Sequence, residues 1–135
     1  MKEISIDAVL DNVAVVTDFV NEQLENMNCP KKVLFQIDIA IDELFSNIAR
    51  YAYSPGTGNA LVKFEAISEP LSVRIIFIDS GKPFNPLQTE DPDISLSKDE
   101  REPGGLGIFL TKKIMDNIDY EYKDGHNILT IMKKL

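Results

Sequence analysis

The sequence has few of the residues that build disulfides and histidine metal sites. Its 135 residues include one cysteine, Cys29, and one histidine, His126. A single cysteine cannot form an internal disulfide, so the sequence indicates no oxidising compartment. A single histidine excludes a two-histidine metal site and disfavours a catalytic triad. We expect Cys29 to serve packing at a helix end and His126 to be solvated in a hairpin turn.

Positive charge is also scarce. The chain has 14 lysines and arginines against 22 acidic residues, which gives a net charge of −8. This balance disfavours nucleic acid and anionic membranes as partners, because both bind through clustered cations. A phosphate-bearing ligand remains compatible, because backbone N–H groups and a metal ion can hold it at any net charge.

Long apolar runs are missing as well. The longest strongly apolar stretch covers residues 75–78, whereas a membrane-spanning helix needs about 20 apolar residues. Residues 1–7 carry acidic groups before any apolar run, so they do not resemble a signal peptide. We therefore expect a cytoplasmic protein, and at this length a single domain over residues 1–135.

Common nucleotide and metal motifs are absent too. Gly81 and Lys82 are followed by Pro83, which excludes a P-loop, and no complete G-x-G-x-x-G follows a strand. The sequence contains no C-x-x-C or H-x-x-E pair. A nucleotide would therefore have to be held by another arrangement.

The periodicity of apolar residues predicts a two-layer α+β sandwich, with helices on one face of a mixed, mostly antiparallel sheet. The spacing predicts helices over about 9–27, 31–51 and 107–117, and strands over 2–6, 61–67, 71–79, 118–123 and 128–133. Between residues 80 and 105 the periodicity disappears and four prolines occur. A stretch of this kind inside a small domain is typical of a lid or binding loop.

Two clusters of polar residues stand at places suited to ligand chemistry. Glu43 and Asn47 are one helical turn apart, so a proton-accepting carboxylate and a cation-ligating carboxamide share one helix face. Asp79 ends an apolar strand, where its carboxylate can accept hydrogen bonds from an exocyclic amine. Gly81 lets a flat ligand approach the backbone. Taken alone, the first cluster is compatible with a solvated helix face and the second with an ordinary Asx turn.

A third cluster is rich in glycine and lies directly before a predicted helix. Gly104, Gly105 and Gly107 permit backbone angles that aim successive N–H groups at one point. The helix N-terminus adds partial positive charge, so the segment could cradle a phosphate. The alternative is a flexible entry to the helix.

In this order the three clusters resemble the GHKL ATP-binding fold, and within it the small anti-sigma factor serine/threonine kinases of bacteria. Residues 43–47 are similar to the N-box of that fold. The segment 79–86, Asp-Ser-Gly-Lys-Pro-Phe-Asn-Pro, is similar to its adenine box, and residues 104–107 are similar to its glycine box. Tyr51 stands where some members have histidine, and Thr130 is an uncertain match for a threonine of the last strand.

The resemblance implies a role for each of these positions. Glu43 would be the general base, Asn47 the magnesium ligand and Asp79 the reader of the adenine amine. The implied nucleotide-binding set is Asn47, Tyr51, Asp79, Gly81, Phe84, Lys98, Arg101, Gly104, Gly105, Leu106, Gly107 and Ile108. Residues 86–104 would form an ATP lid that is ordered when Lys98 or Arg101 pairs with the terminal phosphate.

The resemblance also implies an activity. We expect an ATP- and Mg²⁺-dependent serine/threonine protein kinase that phosphorylates a small anti-anti-sigma (STAS-type) antagonist and sequesters a sigma factor. A homodimer is expected from the relatives. The alternative is an ATP-binding interaction module without significant transfer. A detached histidine-kinase catalytic domain is disfavoured, because the sequence shows neither dimerisation helices nor a phospho-acceptor histidine.

Overall fold

A computed structural model describes residues 1–88 and 106–135. Its strands are β1 (Lys2–Asp7), β2 (Asn59–Ser68), β3 (Leu71–Asp79), β4 (Asn117–Lys123) and β5 (His126–Lys134). Its helices are α1 (Val13–Asn26), α2 (Lys31–Asn47) and α3 (Leu106–Ile114). The strands lie in the order β1-β2-β3-β5-β4. Each of these pairings is antiparallel, where we had expected a mixed, mostly antiparallel sheet.

The core lies between the sheet and the helices, as the predicted α+β sandwich requires. Alternate residues of the three central strands face the helices, because successive side chains of a strand point to opposite faces. The buried strand residues on this face include Val62, Phe64, Ile75, Phe77, Leu129 and Ile131. The helices meet them with an apolar stripe formed by Val16, Val20, Leu24, Ile37, Ile41, Leu44 and Phe45.

Two helix boundaries differ from those that periodicity predicts. The first helix begins at Val13 rather than near residue 9, because a 3-10 turn over Leu10–Asn12 precedes it. The side-chain amide of Asn12 donates to the carbonyl oxygen of Asp7 at 2.8 Å and closes that turn. The third helix ends at Ile114, since β4 already begins at Asn117.

The end of the second helix carries the feature that matters most for the site. After Asn47 the chain continues as a π-helical turn over Ile48–Ala52. Such turns insert an extra residue into a helix and are frequent at functional sites. Here the carbonyl oxygen of Ala52 accepts a hydrogen bond from the N–H of Lys82 at 2.9 Å. This bond ties the helix to the loop that follows β3.

A tight turn fixes the register of the last two strands. Asp124 and Gly125 have φ angles of 52° and 81°, and hairpin turns favour Asp-Gly because both central residues need positive φ. Of the predicted lid over residues 86–104, Pro86–Gln88 forms a short 3-10 turn, and residues 89–104 lie outside the described part. In the described part of the chain, no helix combines the length and apolarity that crossing a membrane requires.

Candidate nucleotide-binding site

A pocket opens between the end of α2 and the adjacent end of the sheet. Its walls are formed by Leu44, Asn47, Ile48, Tyr51, Ala52, Asp79, Lys82, Phe84, Pro86, Tyr120, Asn127 and Leu129. The empty space, including the open mouth, is about 440 Å³. Apolar walls with a few polar groups are typical of small-molecule sites. The lining includes the predicted residues Asn47, Tyr51, Asp79 and Phe84.

Asp79 is the buried carboxylate of this pocket, with 6% of its surface exposed. It is the last residue of β3 and continues the alternation that buries Ile75 and Phe77. A buried charge needs hydrogen-bond donors. Oδ1 of Asp79 accepts from the N–H of Gly81 and from Nδ2 of Asn127, both at 2.9 Å.

Gly81 is required by close packing against the π-helical turn. A Cβ atom at this position would overlap the carbonyl oxygen of Ala52. The backbone therefore passes directly beside the helix end, and the N–H of the next residue, Lys82, bonds to that same oxygen. Sequence reasoning selected Gly81 for its approach to a flat ligand, and the structure adds this contact within the protein.

Glu43 and Asn47 lie on one face of α2, as their spacing predicts, and are hydrogen-bonded to each other. Nδ2 of Asn47 donates to Oε1 of Glu43 at 3.2 Å. A Cβ atom at Gly107 would overlap the carboxylate of Glu43, so the first turn of α3 rests on this side chain. Glu43 and Gly107, distant in sequence, therefore meet beside the pocket.

The hydrogen bond to Glu43 also orients the carboxamide of Asn47. Because Nδ2 is the donor, Oδ1 is the atom that Asn47 can offer to a cation. The described residues contain no group of three or more histidines, cysteines or acids that could hold a metal. Magnesium commonly uses one or two protein oxygens and completes its shell with phosphate and water. The residues present fit Mg²⁺ bound together with a nucleotide.

Sequence reasoning missed Asn127, which is buried beside Asp79 with 6% of its surface exposed. The two residues are direct partners in the β3–β5 register. Asn127 alternates along β5 with the same face as the buried Leu129 and Ile131, and this alternation was the only sequence signal for its burial. Thr130, the strand residue that the sequence analysis considered beside the adenine, lies on the opposite face of the sheet.

Tyr53 is a second residue that the sequence did not reveal. Its hydroxyl accepts a hydrogen bond from the N–H of Ser80 at 2.8 Å and donates to the carbonyl oxygen of Asn59 at 2.6 Å. These bonds fasten the end of β3 to the start of β2. The side chain therefore supports the corner on which Asp79 sits.

The remaining predicted site residues divide into two groups. Leu106 is exposed at the start of α3, whereas Ile108 is buried in the core, so only the backbone of Ile108 could face a phosphate. The other predicted contacts lie outside the described residues: Lys98, Arg101, Gly104 and Gly105.

The two residues that we expected to have no part in the chemistry, His126 and Cys29, have defined surroundings. His126 is exposed as the first residue of β5, and its Nδ1 lies 2.8 Å from Oγ of Ser80. Cys29 packs against the core, as predicted, and burial raises the pKa of its thiol.

Comparison with known proteins identifies relatives over most of the chain. A family model described as the histidine kinase-like ATPase domain matches residues 6–133. The serine/threonine-protein kinase BtrW of Bordetella bronchiseptica is 30% identical over 101 residues, which cover 74% of this chain and 70% of the relative. The serine-protein kinase RsbW of Bacillus cereus is 26% identical over 126 residues, which cover 92% of this chain and 72% of the relative.

A solved structure shares the fold. It contains the RsbU and RsbW domains of Rv1364c from Mycobacterium tuberculosis, and it matches with a TM-score of 0.68 at 16% identity. The match covers 100% of this chain and 33% of that one, so this chain spans about a third of its length. The resemblance that the three sequence clusters predicted is confirmed, and the chain belongs to the histidine kinase-like ATPase (GHKL) family.

Proposed function

We propose that this chain is an ATP- and Mg²⁺-dependent serine/threonine protein kinase of the anti-sigma factor type. In this proposal residues 1–135 act as one histidine kinase-like ATPase domain with a lid over residues 86–104. The observation that carries the proposal is the placement of Glu43 between Asn47 and Gly107, beside the pocket. Glu43 orients Asn47 in any case, but only phosphoryl transfer requires a proton acceptor at this position.

The proposed roles follow from the chemistry of each group. Asp79 accepts a hydrogen bond from the adenine amine, and the backbone N–H groups at the start of α3 hold the phosphates. Mg²⁺, ligated by Oδ1 of Asn47, would neutralise phosphate charge. Lys98 or Arg101 would pair with the terminal phosphate.

The transfer step needs alignment and one proton acceptor. The substrate hydroxyl oxygen attacks the γ-phosphorus, and Glu43 takes the hydroxyl proton. The bond from the γ-phosphorus to the bridging oxygen breaks, and ADP leaves. General-base catalysis of this kind contributes roughly 10²–10⁴-fold to the rate.

The proposed protein partners are a small STAS-type antagonist, which is the substrate, and a sigma factor, which is sequestered. A sigma factor works with RNA polymerase, so this partner would place the chain in the cytoplasm. We further propose a homodimer. The sheet face opposite the helices supports this, because no described helix covers it and it carries Leu61, Ile76, Ile78, Ile128 and Met132.

The test is incubation with Mg²⁺, ATP and a STAS-type antagonist, followed by intact-mass measurement of the antagonist. The kinase proposal expects the mass of one phosphoryl group to appear, and Glu43→Gln to slow its appearance about 10²-fold or more. Glu43→Gln is isosteric and removes only the base, so ATP affinity should stay within a few-fold.

Two outcomes contradict the proposal. An antagonist that binds in an ATP-dependent way but gains no mass would favour the interaction module instead. Transfer at the parental rate by Glu43→Gln would remove Glu43 as the base.

A further inference from the structure

The side chain of Asn127 uses its full hydrogen-bonding capacity. Its Nδ2 donates to Oδ1 of Asp79 at 2.9 Å and to the carbonyl oxygen of Lys82 at 2.8 Å. Its Oδ1 accepts from the N–H of Phe84 at 3.1 Å and from the hydroxyl of Tyr120. A carboxamide offers two N–H donors and two lone pairs. These contacts therefore leave no bond for a ligand.

These contacts also fix which way the carboxamide points. If the amide were flipped, its NH₂ group would face the N–H of Phe84, and its oxygen would face the carboxylate of Asp79. Both contacts are repulsive. Burial raises the pKa of the Tyr120 phenol, which keeps the hydroxyl protonated and able to donate.

The hydrogen bond from Asn127 determines which oxygen of Asp79 is free to bind a ligand. Oδ1 already accepts from Asn127 and from the N–H of Gly81, so both of its lone pairs are used. Oδ2 is then the acceptor that remains for a ligand. A 6-aminopurine offers an N–H donor to it, whereas a 6-oxopurine offers a lone pair and would be repelled.

Asn127 holds the neighbouring loop as well as the carboxylate. Its bonds to Lys82 and Phe84 fasten the backbone that forms one wall of the pocket. Asn127 thus determines which oxygen of Asp79 can accept a bond from a ligand, and it also holds the loop that forms the adjacent pocket wall. Fixed donors and acceptors discriminate between ligands because a mismatched group leaves a buried polar atom without a partner.

We propose that Asn127 is a positioning residue that sets the preference of this pocket for 6-aminopurines, acting through Asp79 and the 80–84 loop without touching the base. The proposal rests on the proposed function, in which the pocket holds ATP. It assigns to Asn127 and Tyr120 a task that the sequence motifs do not include.

The experiment compares ATP with purine riboside triphosphate, which differs only in lacking the 6-amino group, and with GTP. Calorimetry gives the affinity of each for the unaltered chain and for Asn127→Ala, Tyr120→Phe and Thr130→Ala. Asn127→Ala should reduce the preference for ATP over purine riboside triphosphate about tenfold or more, since bonds to charged groups carry such factors. The preference for ATP over GTP should fall in parallel.

The two other variants separate positioning from folding. Tyr120→Phe removes a single hydroxyl and keeps the ring, so it should shift the preference in the same direction by a smaller factor. Thr130→Ala alters the same strand on the opposite face and should leave the preference unchanged. If Asn127→Ala does not fold, Tyr120→Phe decides the question, and an unchanged preference in that variant overturns the proposal.

A merely structural role predicts a different pattern. Equal loss of affinity for ATP and purine riboside triphosphate in Asn127→Ala, or no loss for either, would overturn this proposal without contradicting the proposal that the pocket holds ATP. If the unaltered chain itself showed no preference for ATP, the adenine assignment would fail, and the role of Asn127 would fail with it.

Discussion

At the scale of single residues, two glycines mark places where segments distant in sequence pack closely in the site. Gly81 lies against the carbonyl oxygen of Ala52, and Gly107 lies against the carboxylate of Glu43. Sequence reasoning singled out both positions, but it could not name the contacts, because each joins segments far apart in the chain.

Gly107→Ala should slow phosphoryl transfer about 10²-fold or more, because the new methyl group would displace the carboxylate that we propose as the base. The fold should tolerate the change, since alanine favours a helix over glycine by about 1 kcal/mol. Single-turnover transfer rates and thermal unfolding measure the two effects.

The double variant Gly107→Ala with Glu43→Gln provides the control. If Gly107 acts through Glu43, adding Gly107→Ala to Glu43→Gln should cause little further loss, because residues that act as a unit are not additive. If the transfer rate of the double variant fell by the product of the two single-variant factors, the proposed contact would be contradicted.

Residues whose function depends on a distant partner were beyond sequence reasoning. Asn127 follows a turn, where polar residues are usually solvated, and its burial depends on the pairing of β5 with β3. Asp79, in contrast, could be chosen from the sequence, because it begins the segment 79–86 that is similar to the adenine box. The motif residues could thus be predicted from local sequence, whereas their partners in the tertiary structure could be identified only from the structure.

At the scale of elements, the helices and strands follow the apolar periodicity, and the differences have physical reasons. The π-helical turn over Ile48–Ala52 keeps the composition of the preceding helix, so no pattern distinguishes it. Val9 continues the apolar spacing of α1, although a 3-10 turn separates it from that helix. Periodicity reports which side faces the core, and hydrogen bonding decides where a helix begins.

The packing of α2 on α1 includes an unfavourable carboxylate. Burial raises the pKa of Asp38, and the charge of Asp18 raises it further, while Asn21 lowers it by hydrogen bonding. Oδ1 of Asp38 and Oδ1 of Asn21 are both buried without a hydrogen-bond partner in the described part of the chain. The Asn21 amide thus satisfies part of the Asp38 carboxylate, and one oxygen on each of the two side chains is left without a donor among the described residues.

Asp38→Asn should therefore stabilise the fold at neutral pH. The new amide can donate to Oδ1 of Asn21, and a hydrogen bond worth about 1 kcal/mol raises the melting temperature by about 3 °C in a domain of this size. Thermal unfolding at pH 7.5 and at lower pH measures the effect. Asp42→Asn, an exposed position on the same helix, is the matched control and should change nothing.

The pH dependence has a definite sign. The folded state raises the pKa of Asp38 above its ordinary value of 3.8, so ionisation destabilises the fold as the pH rises through the raised pKa. Below about pH 3.8 the carboxyl is neutral in both states and this penalty is absent. The advantage of Asp38→Asn should shrink as the pH is lowered. An advantage that grows at low pH would contradict the assignment.

At the scale of the whole molecule, the helices cover one face of the sheet and leave the other open in the described chain. Its central strands carry Leu61, Ile78 and Ile128 in one register row, and the next row sets Lys63 beside Ile76 and Thr130. Acidic residues of β1 and β4 flank these rows. An apolar row with charged residues around it fits the usual anatomy of a protein interface, in which an apolar core lies within a polar rim.

Ile76→Lys should therefore convert the proposed homodimer to monomer, because it places a second positive charge beside Lys63, next to the apolar row of that face. Sedimentation at several concentrations measures the change. Val15→Lys adds the same charge to an exposed position of α1 and should leave the dimer intact. A monomeric parent chain, or a dimer that persists in Ile76→Lys, would contradict the open face as the interface.

The central claim is that an adenine nucleotide sits in the pocket on Asp79, and calorimetric titration with ATP and Mg²⁺ tests it directly. Asp79→Asn is the variant to compare, because it keeps the shape of the side chain but replaces a carboxylate oxygen with an amide. The account predicts saturable ATP binding by the parent chain and a loss of about tenfold or more in Asp79→Asn. Equal ATP affinity of the two proteins would contradict it.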